Sequence, residues 1–176
     1  MSEPRIATLS DVRDLSARLA ASDVIALDTE FHTERRYHPD LFLVQLALPD
    51  GSLWVLDPLQ PDLLPALAPA LVAVPAWLVH AGDTDLRLLR DALGDVAAVV
   101  HDTQIASGLL QPHHPASLAG LLRDWLGVQI VKDAALSDWS QRPLHPHQLR
   151  YAVNDVTWLP ALWSALSTRA RALEIG

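Results

Sequence analysis

The stretch Val24-Ile-Ala-Leu-Asp-Thr-Glu30 is a short apolar run that ends in two acidic residues. An apolar run of this length predicts a buried strand, and residues two apart on a strand point to the same face of the sheet. Asp28 and Glu30 are therefore expected side by side at the carboxyl end of the strand, where ligands collect in α/β sheets. Taken alone, Asp28-Thr29-Glu30 is more often an ordinary polar turn.

The patterns on either side of this strand predict an α/β domain. An amphipathic helix over Leu9–Ala21, with Ser10 as its N-cap, precedes it. Phe42–Leu48 and Ser52–Leu56 follow as strands, and Pro49-Asp50-Gly51 between them is typical of a hairpin. Helices and strands then alternate, which predicts a mixed sheet covered by helices. The later predicted elements are helices Leu63–Val72, Thr84–Leu93, one from Thr103 capped by Asp102, Ser117–Leu126 and His145–Ala172 with a break near Pro160, and strands Ala76–His80 and Ala97–His101.

A second acidic motif, His80-Ala-Gly-Asp-Thr-Asp85, follows a predicted strand and opens a predicted helix. One of its two aspartates can be a plain helix cap, and the other can be a first-turn acid that the helix dipole favours. The motif alone therefore leaves a purely structural explanation open.

A third motif, Tyr151-Ala-Val-Asn-Asp155, places a phenol and a carboxylate four residues apart, on one face of a predicted helix. A phenol beside a ligand carboxylate can orient or help to deprotonate an attacking water. In the structural alternative, Tyr151 packs in the core and Asp155 is a solvated acid.

Carboxylates at the edge of a core are costly unless something compensates their charge. If the acids of the three motifs converge, hard divalent cations with oxygen ligands, Mg²⁺ or Mn²⁺, are the natural compensation. Two such ions about 3.5–4 Å apart form a known device for in-line displacement at phosphorus. The three motifs together therefore indicate phosphodiester chemistry more strongly than any one of them does.

In this order and spacing the motifs resemble the DEDD superfamily of 3′–5′ exonucleases, in its tyrosine-bearing (DEDDy) branch, and most of all the ribonuclease D type. The similarity runs over about residues 6–165. The matching residues are Asp28-Thr-Glu-Phe31 with Tyr37 and Pro39, Leu43-Val-Gln-Leu46, Leu56-Asp-Pro58, His80-Ala-Gly82, Asp85-Leu86, Asp102-Thr-Gln104, Lys132, Ser137-Asp-Trp139, Arg142-Pro-Leu144 and Tyr151-Ala-Val-Asn-Asp155.

The resemblance implies an RNase H-like mixed β-sheet covered by helices on both faces. It also implies two divalent metal ions (Mg²⁺ or Mn²⁺) and stepwise release of nucleoside 5′-monophosphates from a single-stranded RNA 3′ end. Carried over, Asp28, Glu30, Asp85 and Asp155 are metal ligands, and Tyr151 orients the attacking water. Asp83 is left as the helix cap. Two alternatives remain, an exonuclease acting on DNA and a catalytically silent nucleic-acid-binding module.

Length and composition set further limits. At 176 residues the chain is expected to form a single exonuclease domain over residues 1–176, without the helical HRDC domains that ribonuclease D proteins carry after it. The chain has no cysteine, which excludes disulfides and thiolate zinc sites and fits a cytoplasmic protein. No long apolar run predicts a membrane span, and no hydrophobic signal region is expected at the N-terminus.

The net charge of −8 argues against binding nucleic acid through the overall field of the protein. Substrate phosphate is instead expected to be neutralised locally by the metals. Basic candidates for phosphate contacts are Arg35, Arg36, Lys132, Arg142 and Arg150, and aromatic candidates for stacking on the terminal base are Phe31, His32 and Tyr37. The histidines, among them His101, His113, His114, His145 and His147, show no metal-binding spacing.

Overall fold

The computed structural model describes residues 3–32, 39–112, 114–130 and 137–173. Arg35, Arg36, Tyr37, His113 and Lys132 lie outside these ranges. The described strands form one six-stranded sheet in the order β1-β4-β3-β2-β5-β6. The strands are β1 (Arg5–Ile6), β2 (Val24–His32), β3 (Asp40–Ala47), β4 (Leu53–Leu56), β5 (Ala76–Val79) and β6 (Val99–Asp102).

The sheet is mixed, as the order of predicted elements indicated. Strand β3 pairs antiparallel with β2 on one side and with β4 on the other, whereas β5 pairs parallel with β2 and β6 pairs parallel with β5. The short strand β1, which the sequence patterns did not predict, pairs parallel with β4. β2 therefore lies at the centre of the sheet, between the antiparallel and the parallel half.

In the described residues, seven α-helices cover the sheet. The helix predicted at the N-terminus begins with a 3₁₀ turn over Leu9–Asp11, and Thr8 rather than Ser10 is its N-cap residue. Gly94 and Gly127 end their helices with positive φ, as the pattern predicted. The helices are α1 (Val12–Ala20), α2 (Leu63–Val72), α3 (Asp83–Leu93), α4 (Thr103–Leu110), α5 (Leu118–Leu121, continued by a π turn to Leu126), α6 (Pro146–Thr157) and α7 (Leu159–Ala172).

The apolar residues form one cluster on each face of the sheet. Alternation along β2 sends Ile25 and Leu27 to one cluster and Ala26 to the other. Helix α6 packs on β2, β3 and β4 on the Ala26 side. This is the α/β fold with helices on both faces that the resemblance implied. Among the described residues, no helix is long and apolar enough to cross a membrane.

Candidate active site

Asp28 and Glu30 lie on the face of the sheet that α6 covers. Both are half-buried, and they follow Ala26 at intervals of two residues, whereas the intervening Thr29 is buried and points to the other face. In the antiparallel register, Asp28 lies opposite Gln45 and Glu30 opposite Leu43. The predicted arrangement of the two carboxylates on one face of one strand is therefore present.

Helix α6 brings Asp155 to the same place. Pro146 occupies the first turn, where its missing N–H has no cost, and Gln148 Oε1 accepts a 2.8 Å hydrogen bond from the backbone of His145. Asp28, Glu30 and Asp155 each place a carboxylate oxygen within 4.8 Å of the others. Oxygen donors at this spacing from two different elements fit a hard divalent cation. The described part of the chain thus contains an acidic group that can hold a metal ion.

Asp85 reaches the site from α3 and is only 7% exposed. β5 ends at Val79, and in the described part of the chain no strand pairs with this edge of β2 beyond Ala26. Here Asp85 takes the place of a neighbouring strand as the hydrogen-bond partner of Thr29. Its Oδ1 accepts a 3.1 Å hydrogen bond from the Thr29 backbone N–H and a short one from the Thr29 hydroxyl. The carboxylate is therefore fixed to the residue between Asp28 and Glu30.

The loop before α3 is held by Asp102. This side chain caps α4, as predicted, by accepting from Gln104 N at 2.7 Å. It also accepts from the backbone N–H groups of Ala81 and Gly82, at 3.1 and 3.0 Å. Ala81 has a φ of +55°, and a Cβ on Gly82 would meet the Val79 side chain at 2.6 Å. The turn that positions Asp85 is thus tight and braced by hydrogen bonds.

The interpretation of Asp83 as a cap is wrong. Gly82 is the N-cap residue of α3, and Asp83 is the first helical residue. Its side chain is 86% exposed and forms a 3.0 Å ion pair with Arg87 one turn later. Among the described contacts it makes no capping hydrogen bond, because it has already entered the helix. Of the two aspartates, only Asp85 is hydrogen-bonded to the strand that carries Asp28 and Glu30.

The pKa values of Asp28 and Asp85 are raised in the folded protein. The pKa of Asp28 lies well above its usual range because its half-buried carboxyl has lost much of its hydration, and the charges of Asp85, Asp155 and Glu30 add to the effect. Burial also raises the pKa of Asp85, although the hydrogen bonds from Thr29 oppose this shift. A bound divalent cation removes the mutual repulsion, because it supplies opposite charge at the point where the oxygens meet.

A cavity of about 210 Å³ opens beside the acids and is lined by Asp28, His80, Ser117, Leu118 and Asp155. His80 Nδ1 lies 2.9 Å from the Thr103 hydroxyl, which in turn donates to the Val79 carbonyl at 3.1 Å. The Thr103 hydroxyl thus lies between the His80 ring and the Val79 carbonyl and contacts both. The orientation of this histidine at the cavity wall is therefore fixed.

Tyr151 lies one helical turn before Asp155 on α6 and is 9% exposed. Its ring belongs to the apolar cluster under α6, with the Trp139 ring centroid 6.0 Å away. The side chain thus shares a helix face with Asp155 while its ring is fixed by packing. This position is compatible with either the water-orienting role or the packing role.

Arg142 is not available for substrate phosphate, contrary to the prediction. Its Nε and Nη2 donate to Asp57 at 2.6 and 2.7 Å, Nη2 also reaches the Phe42 carbonyl, and Nη1 donates to the carbonyls of Trp139 and Gln141. These bonds use all the donors of a guanidinium. They fasten the segment 137–144, which we call the strap, to the end of β4.

The other described candidates for substrate contacts are Arg150 for phosphate, and His32 and Phe31 for stacking on a base. Arg150 is exposed on α6, as a phosphate contact requires. The His32 ring packs edge-on against Phe42 at 4.9 Å, and its Nε2 accepts a 3.4 Å hydrogen bond from Trp139 N, so it connects β2 to the strap. Phe31 is half-buried at the end of β2.

The sequence patterns missed three residues that shape the site: Thr29, Asp102 as a clamp on the Ala81 turn, and His80 at the cavity wall. Asp102 was recognised only as a cap, since its second set of contacts lies about twenty residues away in the chain. A signal for Thr29 and His80 did exist, because both lie inside the acidic motifs.

Comparison with known proteins agrees with the fold and the acidic motifs. Residues 5–171 match the 3′–5′ exonuclease family. Ribonuclease D of Sphingobium indicum is 38% identical over 159 residues, which cover 89% of this chain and 41% of that protein. The chain belongs to the 3′–5′ exonuclease family, and its relatives include ribonuclease D proteins.

Solved structures give the same result. The chain superposes on Escherichia coli RNase D, an exoribonuclease involved in structured RNA processing, with a TM-score of 0.88 and 30% identity, covering 98% of this chain and 46% of that one. Brucella melitensis NrnC bound to pGG gives a TM-score of 0.77 and 26% identity, covering 99% of this chain and 85% of that one. The chain therefore spans less than half the length of these ribonuclease D proteins but most of the length of NrnC.

Proposed function

We propose that this protein is a metal-dependent 3′–5′ exoribonuclease that removes nucleoside 5′-monophosphates one at a time from a single-stranded RNA 3′ end. The observation that supports it most is the meeting of Asp28, Glu30 and Asp155 within 4.8 Å, with Asp85 bound to the intervening Thr29. Family membership and the ribonuclease D relatives supply the reaction type and RNA as substrate class. The proposal concerns the exonuclease unit over residues 5–171.

In this proposal the four carboxylates hold two divalent ions, Mg²⁺ or Mn²⁺. When bound, such ions supply Lewis acidity and neutralise the charge that develops on the phosphoryl oxygens. The reaction is hydrolysis: a water oxygen bonds to the terminal phosphorus, and the bond from phosphorus to the 3′ oxygen of the shortened chain breaks. That 3′ oxygen takes up a proton, and a nucleoside 5′-monophosphate leaves.

The protein's own groups position the reactants. Two hydrogen bonds from Thr29 hold the Asp85 carboxylate against β2. They fix its position relative to the carboxylates of Asp28 and Glu30. Tyr151 orients the attacking water and assists removal of its proton, since it lies one turn before Asp155. The cavity beside Asp28 and Asp155, with His80 in its wall, is where we place the terminal nucleotide.

The test uses 5′-labelled RNA and DNA oligonucleotides of one sequence, with Mg²⁺ or Mn²⁺ and then with EDTA. We expect a ladder shortened from the 3′ end, faster on RNA and abolished by EDTA. A circular RNA should remain intact. Activity in EDTA or cleavage of the circle would contradict the proposal, and a clear preference for DNA would support the DNA exonuclease alternative.

A second arm of the same assay tests how activity depends on substrate length. Because the chain matches most of NrnC, and NrnC was solved bound to pGG, pGG should be compared with longer RNA. We expect longer RNA to be degraded at least as fast as pGG. A strong preference for pGG would shift the substrate class from RNA 3′ ends to short oligonucleotides.

A further inference from the structure

Gln45 is a buried polar residue with no assigned purpose. It is 0% exposed at the centre of β3, and neither its Oε1 nor its Nε2 has a hydrogen-bond partner among the residues the structure describes. Buried polar side chains nearly always have partners, and each exception needs an explanation. A leucine or methionine would fill the same space without leaving a polar group unsatisfied, so stability alone does not explain a glutamine here.

The register places this amide beside the acidic site. Gln45 pairs with Asp28 on one side and with Val55 on the other. Directly paired residues point to the same face, with Cβ atoms about 4.5–5.5 Å apart. Leu43 and Ala47, two residues away along the strand, share that face and belong to the apolar cluster. Of these four neighbours only Asp28 is polar, so the unpartnered amide has one polar neighbour in the sheet.

We propose that Gln45 is a positioning residue for Asp28: with metal bound, its Nε2 donates a hydrogen bond to the Asp28 carboxylate. An ionised carboxylate is an acceptor, and the glutamine amide offers two N–H donors. Carboxylates that ligate metals are commonly fixed by such second hydrogen bonds. The inference depends on the proposed metal site. It adds that β3 orients one ligand of that site from the side opposite Asp85.

The arrangement around Asp28 supports this role. Asp85 is held by Thr29 through two hydrogen bonds, and α6 is fixed by its cap and by packing. Asp28 lies between them, with three other carboxylates acting on it. A donor on the β3 side restrains rotation of the Asp28 side chain, so that its oxygens remain directed toward the other ligands.

The test compares Gln45→Met with the wild-type protein, both free of nucleic acid. Mn²⁺ affinity is measured by calorimetry, and stability by urea unfolding in EDTA. We expect Mn²⁺ to bind about 10–100-fold more weakly to the variant, the usual effect of removing a partner of a metal ligand. The metal-free variant should be at least as stable as wild type, because a buried unsatisfied amide has been replaced by an apolar group.

Trp77→Phe is the matched control. Trp77 Nε1 is also buried without a partner among the described residues, but it belongs to the cluster on the opposite face of the sheet. This change should leave Mn²⁺ affinity unaltered. An equal loss of affinity in both variants would show a general packing effect and overturn the proposal.

A measurement on the wild-type protein covers the case in which Gln45→Met fails to fold. The side-chain amide protons of Gln45 are followed by ¹⁵N NMR as Mg²⁺ is added. We expect them to shift and to exchange more slowly when the metal binds. If Mg²⁺ binds without changing these signals, or Gln45→Met binds Mn²⁺ as wild type does, Gln45 has no positioning role. If wild type binds neither ion, the proposed metal site itself is wrong.

Discussion

The two helices that bring acids to β2 are held in different ways. Asp85, on α3, is itself hydrogen-bonded to Thr29, and the turn before it is fixed by Asp102. Asp155, on α6, is delivered by a helix that rests on the apolar cluster. The strap packs against that helix through Trp139 and is fastened by the Arg142–Asp57 pair. One of the two proposed ligands thus depends on polar contacts next to the acidic group, and the other on packing far from it.

This difference predicts which property each region controls, metal binding or the stability of the fold. Near Asp85, small changes in hydrogen bonding should alter metal binding and leave the fold largely intact. Around α6, changes in the strap should weaken the fold and leave the chemistry of the folded molecules nearly unchanged.

The largest expected effect comes from removing one acid in each region. Asp85→Ala and Asp155→Ala should each lower exonuclease turnover by about 10⁴-fold, because each deletes a ligand that stabilises transition-state charge by several kcal/mol. Single-turnover rates on labelled RNA measure the loss. Asp83→Ala is the control, and should be close to wild type because its exposed carboxylate contacts only Arg87 in the described structure. Activity lost in Asp83→Ala but kept in Asp85→Ala would reverse the assignment.

Tyr151→Phe asks whether α6 contributes chemistry besides Asp155. If the phenol handles the proton of the attacking water, turnover should fall by roughly 10²–10⁴-fold. Metal and substrate affinity should change little, so the loss should appear in kcat rather than in KM.

The packing alternative predicts the opposite outcome for the same variant. The ring is 9% exposed in the apolar cluster, and phenylalanine keeps its volume. A wild-type rate would therefore remove Tyr151 from the catalytic group. A low rate together with a much lower Tm would indicate a structural hydrogen bond instead.

Thr29→Val and Arg142→Met compare the two regions directly. Thr29→Val keeps the shape and removes the hydroxyl that donates to Asp85, so Mn²⁺ should bind about tenfold more weakly. Its free energy of unfolding should fall by only about 1 kcal/mol. Arg142→Met leaves Asp57, whose side chain is 8% exposed, buried without its partner, and should lose about 3 kcal/mol.

The folded fraction of Arg142→Met should bind Mn²⁺ almost as wild type does, since the pair lies outside the acidic group. Calorimetry and urea unfolding on both variants provide the readout. If Arg142→Met weakens metal binding more than Thr29→Val does, the two regions are not separable in the way described here.

The sequence predicted the site where local rules apply. Spacing of two on a strand and of four on a helix placed Asp28 with Glu30, and Tyr151 with Asp155. The break between α6 and α7 near Pro160 was predictable for the same reason, because proline is tolerated only in the first turn of a helix. The caps at Asp102, Gly94 and Gly127 also follow local chemistry.

Most of the errors and omissions concern residues whose partner is distant in the sequence. Arg142 looked like a phosphate contact because nothing near it in the chain reveals Asp57, which is 85 residues away. Thr29 holds Asp85 across 56 residues, and Gln45 meets Asp28 only through the register of β2 and β3. Asp83 was assigned as a cap because the pattern does not separate the N-cap position from the first helical residue.

The smallest expected effect is a change in the free energy of unfolding without metal. Asp28→Asn measures how much the meeting of the acids lowers that free energy. The pKa of Asp28 in the folded protein is raised, mainly by burial and then by Asp85, Asp155 and Glu30. The folded state therefore binds a proton more tightly than the unfolded chain does. The resulting stability is complete below the unfolded pKa of Asp28 and is lost as the pH rises through the folded pKa.

In EDTA, wild type should accordingly become less stable as the pH rises from acidic values toward neutrality. Asp28→Asn should show a weaker dependence and be more stable than wild type at neutral pH, because a neutral amide costs less to bury than a carboxylate and is not repelled by the other acids. Mg²⁺ should reverse this order, since it stabilises the wild-type protein by binding to it. Urea unfolding at several pH values, with and without Mg²⁺, measures each part. If Asp28→Asn is the less stable protein at neutral pH in EDTA, burial and repulsion do not destabilise the Asp28 carboxylate as this prediction requires.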